Sequence, residues 1–404
     1  MSNLFSKLFQ AKHNKRYLLK IIFYLFLILF IYSINYIPKN VLNRNEIKPF
    51  IRYINDCKNH KRYNREKIYN KNPYISICLP SLNMEKYIEQ TLLSIINQLF
   101  QDFEIIIIND NSKDDTKKII KNMQLEDERI KLINHNINKG VYYSRVEAIL
   151  NSKGKYIILM DPDDLYLNEN LFQELYNYNL KYNLDIIEFT VFQQIEGRRN
   201  ILYPKKHYES HYHNFANNII YQPDLSRILF KNPNNDIYSH TICRNIWNKI
   251  FRRKILLDMI EFIGLDYFYN FIITADDMAM NVVSYHYAKN YSNIYLPGYL
   301  YNIRPVSMSH GDGGDKLNEI RVMNYLFYFK IVYRFIIKFE LDRSMLFYEL
   351  KDLRRFLYFI KLYNLTIYEN MIINFLNEIL NDKFANKIFK SFVVKLLLYF
   401  ISEN

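Results

Sequence analysis

The chain has 404 residues, half of them apolar, which is enough for two or three domains with buried cores and excludes a largely disordered polypeptide. Its three cysteines, Cys57, Cys78 and Cys243, show no Cys-x-x-Cys or Cys/His spacing and so indicate neither a zinc site nor a disulfide framework. The net charge of +13 comes from diffuse basic residues without a nucleic-acid-binding signature, so no nucleic-acid partner is expected.

Residues 1–16 form a short tail carrying Lys7, Lys12, Lys15 and Arg16 and no acid. Residues 17–37 are apolar except for Lys20, Ser33, Asn35 and the tyrosines. About 17 to 20 helical residues cross a bilayer core, so this run predicts a single transmembrane anchor. The run is long and no small-x-small cleavage site follows it, which argues against a signal peptide. Lys39, Arg44, Lys48 and Arg52 nearly match the basic count of the tail, so charge asymmetry is weak. The expectation is that the residues from 38 onward face the lumen of the Golgi or endoplasmic reticulum in a eukaryote, or the cytoplasm in a bacterium. Residues 38–72, polar and basic, read as a stem or linker.

The folded part begins at residue 73. Strands are predicted at 75–79, 103–108 and 130–133, and helices at 84–100, beyond the polar loop 109–116, and at 142–150. Strands separated by helical segments of ten or more residues predict parallel βαβ crossovers with helices on both faces of a sheet. No Gly-x-Gly-x-x-Gly and no Gly-x-x-x-x-Gly-Lys-Ser/Thr occurs, which argues against a dinucleotide cofactor and a phosphate-cradling loop.

Tyr156-Ile-Ile-Leu-Met160 then runs straight into Asp161-Pro-Asp-Asp164. Consecutive apolar residues predict a strand buried on both faces, which puts the three acids at its carboxyl end, where open parallel sheets bind ligands. Clustered carboxylates repel one another unless a cation lies between them, and oxygen donors suit Mg²⁺ or Mn²⁺. Taken alone the stretch reads more readily as an ordinary acidic turn or helix start than as a metal site. The same holds for Asp276-Asp277, on another expected helix start. Trp247, the sole tryptophan, suits either a sugar platform or a core. After residue 315 the chain is helical and aromatic; its last apolar run, 392–400, is too short to span a bilayer and predicts packed helices with surface association.

Pro80-Ser-Leu-Asn83, Asn109-Asp-Asn-Ser112, Asn138-Lys-Gly140 with Arg145, Asp161-Pro-Asp163, Trp247-Asn-Lys249, Asp276-Asp277 and Tyr301-Asn-Ile-Arg304, in this order and spacing between 75 and 310, resemble the motifs of family 2 glycosyltransferases of the GT-A fold, of the polysaccharide type. Ile77-Cys-Leu-Pro-Ser-Leu-Asn83 resembles their opening strand and Pro-x-x-Asn turn. Glu104-Ile-Ile-Ile-Ile-Asn-Asp-Asn-Ser112 resembles Glu-Ile-Ile-Val-Val-Asp-Asp-Gly-Ser, and Asn138-Lys-Gly-Val-Tyr-Tyr-Ser-Arg145 an Asn-x-Gly segment ending in arginine. Asp161-Pro-Asp163 falls where such enzymes keep Asp-x-Asp, Trp247-Asn-Lys-Ile-Phe-Arg-Arg253 resembles their tryptophan and basic stretch, and Asp276-Asp277 sits in place of Glu-Asp. Tyr301-Asn-Ile-Arg304 with Ser307 and Ser309 resembles the closing segment. Asn109, Asn111, Val146 and Asp276 depart from the pattern.

The resemblance implies an α/β, Rossmann-like, mostly parallel sheet flanked by helices over 73–314, between the N-terminal transmembrane helix and a C-terminal helical extension over 315–404. It implies inverting transfer of a hexosyl or N-acetylhexosaminyl group from a nucleoside diphosphate sugar, UDP-linked, to a hydroxyl of a glycan, lipid or protein acceptor. Asp161 and Asp163 would hold Mn²⁺ or Mg²⁺. Asp110 would face the base beside Pro80, Ser81 and Asn83; Arg145 would approach the base or diphosphate, and Lys249 and Arg304 the diphosphate. Asp277 would be the general base. A nucleotidyltransferase is the alternative from another class, but its Gly-rich basic loop is missing at 79–83; a catalytically inactive binding subunit is the other.

Overall fold

The computed structural model describes residues 44–196, 203–204, 218–223, 225, 245–264, 272–304, 314–341 and positions between 373 and 381. The apolar run at 17–37 lies outside them, and among the described residues no helix is long and apolar enough to cross a membrane.

β1 (Ile75–Ser81), β2 (Phe103–Asn109) and β4 (Tyr156–Leu159) are buried along their whole length. Both faces of these strands are covered, so side chains partition by parity. Cys78, Ile106, Ile108, Ile157 and Leu159 enter one core, and Ile75, Ile77, Ile105, Ile107 and Ile158 the other. At roughly 1.5 to 3 kcal/mol per fully buried aliphatic side chain, this double burial fixes the register, because a one-residue slip would exchange the two sets. β3 (Ile130–Asn134) closes the edge, and β3, β2, β1 and β4 run parallel. The crossovers are α2 (Ile88–Ile96), α3 (Thr116–Glu126) and α4 (Val141–Asn151).

Beyond β4 the sheet becomes mixed. β9 (Lys249–Arg252) runs antiparallel between β4 and β6 (Ile186–Ile195). The long β10 (Asn290–Ile303) lies parallel to β6, with register shifts around Pro297. β5 (Leu165–Tyr166), β7 (Tyr203–Pro204) and β8 (Ile219–Tyr221), antiparallel partners of β10, β6 and β10 respectively, bring the sheet to ten strands among the described residues. Helices α5 (Leu171–Tyr182), α6 (Arg253–Ile263), α7 (Asp276–Tyr287) and α8 (Gly314–Lys338) follow in chain order. α6, α7 and α8 share a core with α4 through Met259, Val283, Val332 and Val146, whereas α2, α3 and α5 cover the other face.

The stretch expected to be a stem instead folds from residue 44 onward. Helix α1 (Arg44–Lys58) buries Tyr53, Ile54 and Cys57, and the Tyr53 hydroxyl donates to the Ser94 carbonyl at 2.7 Å. The chain after it stays attached, since Tyr63 N donates to Asn97 Oδ1 at 2.8 Å and Arg65 pairs with Glu169. A docked helix needs only a narrow apolar stripe, so a mostly polar composition hides it.

Candidate active site

The carboxyl ends of β1, β2 and β4 form one edge. Asn83 and Asn111 adopt positive φ, 54° and 65°, values that asparagine tolerates better than most residues. They lock the two turns together: Asn83 N donates to Ser112 Oγ at 3.0 Å, and Asn83 Oδ1 accepts from Lys113 N at 2.8 Å. Pro80 and Ser81 end β1, and Ser81 Oγ is buried without a hydrogen-bond partner.

Asp110, expected to face a base, is buried and engaged within the protein. Its carboxylate accepts from Lys139 N at 2.8 Å and Gly140 N at 2.9 Å and meets His135 Nδ1 at 2.7 Å. It thereby fixes the turn that opens α4. Gly140 has φ +91°, and a Cβ there would lie 2.8 Å from the Ile272 carbonyl oxygen, so only glycine fits. His135 is the site residue that sequence reading missed; the signal was a histidine at the end of the third strand, three positions before Asn138.

α4 carries Arg145 into the centre. Its Nη2 donates to Asp161 at 2.6 Å and its Nη1 to Asp276 at 2.5 Å, so one buried guanidinium joins the acids of β4 to those of α7. Asp163 pairs with Arg304 at 2.5 Å, and that guanidinium lies 5.0 Å above the Tyr87 ring. Burial pushes the Asp163 carboxyl up to about 6, with Arg304 pulling down and Asp161 pushing up. Asp164 sits behind, accepting from the Tyr299 hydroxyl at 2.7 Å and Asn302 N at 2.8 Å. Burial raises its carboxyl well above the usual range, with Asp163 and Asp161 adding to the effect.

The two acids of α7 differ. Asp276 is 3 % exposed and salt-bridged to Arg145. Asp277, one residue on and therefore about 100° around the helix, instead accepts from Met278 N at 2.8 Å. Burial pushes its carboxyl up to about 7; Asp276 repels in the same direction and Arg145 opposes.

Two candidates fall elsewhere. Lys249 has no exposed surface; it lies 3.4 Å from Glu188 and donates to Asn248 Oδ1 at 3.1 Å, while Glu188 also accepts from the hydroxyls of Tyr285 and Tyr291. A lysine committed to that interior cluster is not presented to a diphosphate. Trp247 is 5 % exposed and stacks on Tyr299 and Tyr301 with ring centroids 4.5 and 5.4 Å apart, so it is core.

Among the described residues no three His, Cys, Asp or Glu side chains are grouped to hold a metal ion. Asp161 and Asp163, the expected ligands, are each paired with an arginine, and among the described residues no third ligand of those types joins them. That donor set fits a hard cation completed by water and phosphate oxygens, and not a closed protein cage.

Residues 76–259 match the model of glycosyl transferase family 2. The uncharacterized glycosyltransferase EpsJ of Bacillus subtilis is 28% identical over 45% of this chain and 49% of its own length. The GalNAc(5)-diNAcBac-PP-undecaprenol beta-1,3-glucosyltransferase of Campylobacter jejuni is 36% identical over 24% of this chain and 31% of its own. The chain thus spans about half or less of these relatives. Among solved structures, S. aureus TarS 1-349 in complex with UDP-GlcNAc aligns over 72% of this chain and 80% of its own, at 19% identity and a TM-score of 0.47. The matched residues 76–259 take in most of the parallel half of the sheet, α4 with Arg145, and the Asp161–Asp164 turn, so the likeness to glycosyl transferase family 2 covers the part of the chain that carries those acids.

Proposed function

We propose that the chain transfers a hexosyl or N-acetylhexosaminyl group from a UDP-linked sugar to an acceptor hydroxyl, with inversion. The observation that carries this is the asymmetry of α7. Asp276 is neutralised by Arg145, whereas Asp277 lacks that pairing and has a carboxyl near 7, where a group both holds and releases a proton in neutral water. Ionised Asp277 takes the hydroxyl proton as the acceptor oxygen bonds to the anomeric carbon and the bond from that carbon to the diphosphate breaks. Attack opposite the leaving group gives inversion.

Arg304, paired with Asp163, would exchange that carboxylate for the departing diphosphate, and Arg145 keeps Asp161 and Asp276 from adding repulsion. Mn²⁺ or Mg²⁺ on Asp161 and Asp163 would supply Lewis-acid neutralisation of the diphosphate. The name of the Campylobacter relative supports a glycan or lipid acceptor over a protein one. The apolar run at 17–37 supports single-pass membrane attachment, with the catalytic domain cytoplasmic-facing in a bacterium and lumenal in a eukaryotic secretory compartment.

A panel of nucleotide sugars assayed for diphosphate release, with and without Mn²⁺, tests the reading. UDP release from one UDP-sugar, lost in chelator, is expected. Release from none of them, or release unchanged by chelator, would overturn the donor or the metal assignment respectively. A carbonate wash that strips the chain from membranes would sink the anchor.

A further inference from the structure

Helix α8 lies beyond the matched residues 76–259, yet it reaches the backbone that presents the acids of α7. Asn324, on α8 and 3 % exposed, accepts two backbone hydrogen bonds through its Oδ1, from Ile273 N at 2.8 Å and Thr274 N at 3.2 Å. Immediately afterwards Ala275 takes a left-handed conformation, φ 59°, and α7 begins at Asp276. A non-glycine residue at positive φ persists only where its surroundings impose it. The other side of the same segment is held by α4, because Tyr142 N donates to the Ile272 carbonyl at 3.2 Å and Gly140 packs against that oxygen. α8 also packs on α4 directly, with Phe327 edge-on to Tyr142 at 5.8 Å.

The segment 272–275 is therefore clamped between α4, which carries Arg145, and α8, which carries Asn324. We propose that Asn324 is a positioning residue for glycosyl transfer: its amide oxygen fixes the backbone that sets the direction of Asp277 toward the acceptor hydroxyl. Helix α8 then completes the active site from outside residues 76–259, which the family model matches. This rests on Asp277 being the general base.

Asn324→Ala removes the acceptor and leaves two buried amides unpaired, so 272–275 relaxes while the donor edge at Asp161 and Asp163 stays as it is. The expected result is a fall in kcat of about 10- to 100-fold with the KM for the UDP-sugar within about twofold of wild type, since misplacement by about 1 Å is felt in turnover. Asn324→Asp keeps an oxygen at the same place and is expected to recover most of the lost kcat. A kcat within threefold of wild type in Asn324→Ala overturns the proposal. So does a parallel loss of kcat and UDP affinity, or no recovery in Asn324→Asp. If the alanine variant does not fold, Asn324→Ser, whose hydroxyl falls short of the amides, is read the same way, and a second failure to fold assigns Asn324 to stability alone. Asp277→Asn is measured alongside. If it stays active the base assignment has failed; if it is inactive while Asn324→Ala is normal, only the role of Asn324 has.

Discussion

Asp277→Asn separates catalysis from binding and from stability in one variant. Asparagine keeps the size of the side chain and its acceptor to Met278 N but takes no proton. Loss of a general base slows turnover by ~10² to 10⁴, or roughly 3 to 5 kcal/mol of barrier, while UDP-sugar affinity measured by calorimetry should change little. In the wild type, kcat should rise with pH up to a plateau above the pKa of about 7 and fall tenfold per pH unit below it, because only the carboxylate accepts the proton. Stability should run the other way. An unperturbed aspartate titrates near ~4, so between about 4 and 7 the folded chain holds a proton that the unfolded chain has released, and stability falls as pH rises through that window. Three pH units correspond to roughly 4 kcal/mol as an upper bound. Thermal melts should therefore show Asp277→Asn more stable than wild type at pH 8 and similar to it at pH 4. Turnover within tenfold of wild type, or a pH-independent kcat between 6 and 8, would refute the assignment.

Three further outcomes are expected. Asp163→Ala should abolish Mn²⁺-dependent UDP binding in calorimetry and leave the circular dichroism spectrum unchanged; equal affinity with and without chelator in the wild type would remove the cation. Lys249→Met should cost about 3 to 5 kcal/mol of stability by stranding buried Glu188, while the KM for the donor in the surviving folded enzyme stays put; a selective rise in KM would return Lys249 to the diphosphate. Gly140→Ala should destabilise by roughly 1 to 3 kcal/mol and lower kcat, since it forces a Cβ onto the Ile272 carbonyl at positive φ. A melting temperature equal to wild type would mean the turn relaxes freely.

What could be read from the sequence was what local pattern encodes. Runs such as Ile105-Ile-Ile-Ile108 are apolar at both parities, so they announce strands covered on both faces, and the acids at 161–164 follow directly from where such a strand ends. Helix α1 was illegible because three buried side chains suffice to dock it. The antiparallel insertion of β9 was hidden because a four-residue strand is defined by its neighbours, β4 and β6, and not by its own pattern. The interior partners of Lys249 and Asp110 were hidden for a related reason: charge predicts contact with charge, but that the partners are Glu188 and His135 is decided by tertiary structure. Asn324 had no signal at all, since an asparagine on a long aromatic helix looks like any other polar interruption.

The balance of charge across the cleft bears on why a cation would be needed. Asp161 and Asp276 share Arg145, and Asp163 faces Arg304, so three salt-bridged carboxylates meet two guanidiniums. Asp164, with its raised carboxyl, adds little negative charge in neutral water, while Asp277, near 7, is about half ionised there. The edge is thus left with between about one and two net negative charges before any donor arrives. A nucleoside diphosphate sugar brings two more, and the Asp163 pair must open if Arg304 is to follow the diphosphate. Arg304 alone then cannot hold both Asp163 and the phosphates at close range, and each elementary charge left uncompensated near 4 Å is worth about 4 kcal/mol at an effective dielectric of 20. A divalent ion, if held by Asp161 and Asp163 as proposed, would offset the donor's charge and leave Arg304 to the leaving group. Metal affinity and donor affinity should therefore be reciprocally linked, each rising in the presence of the other.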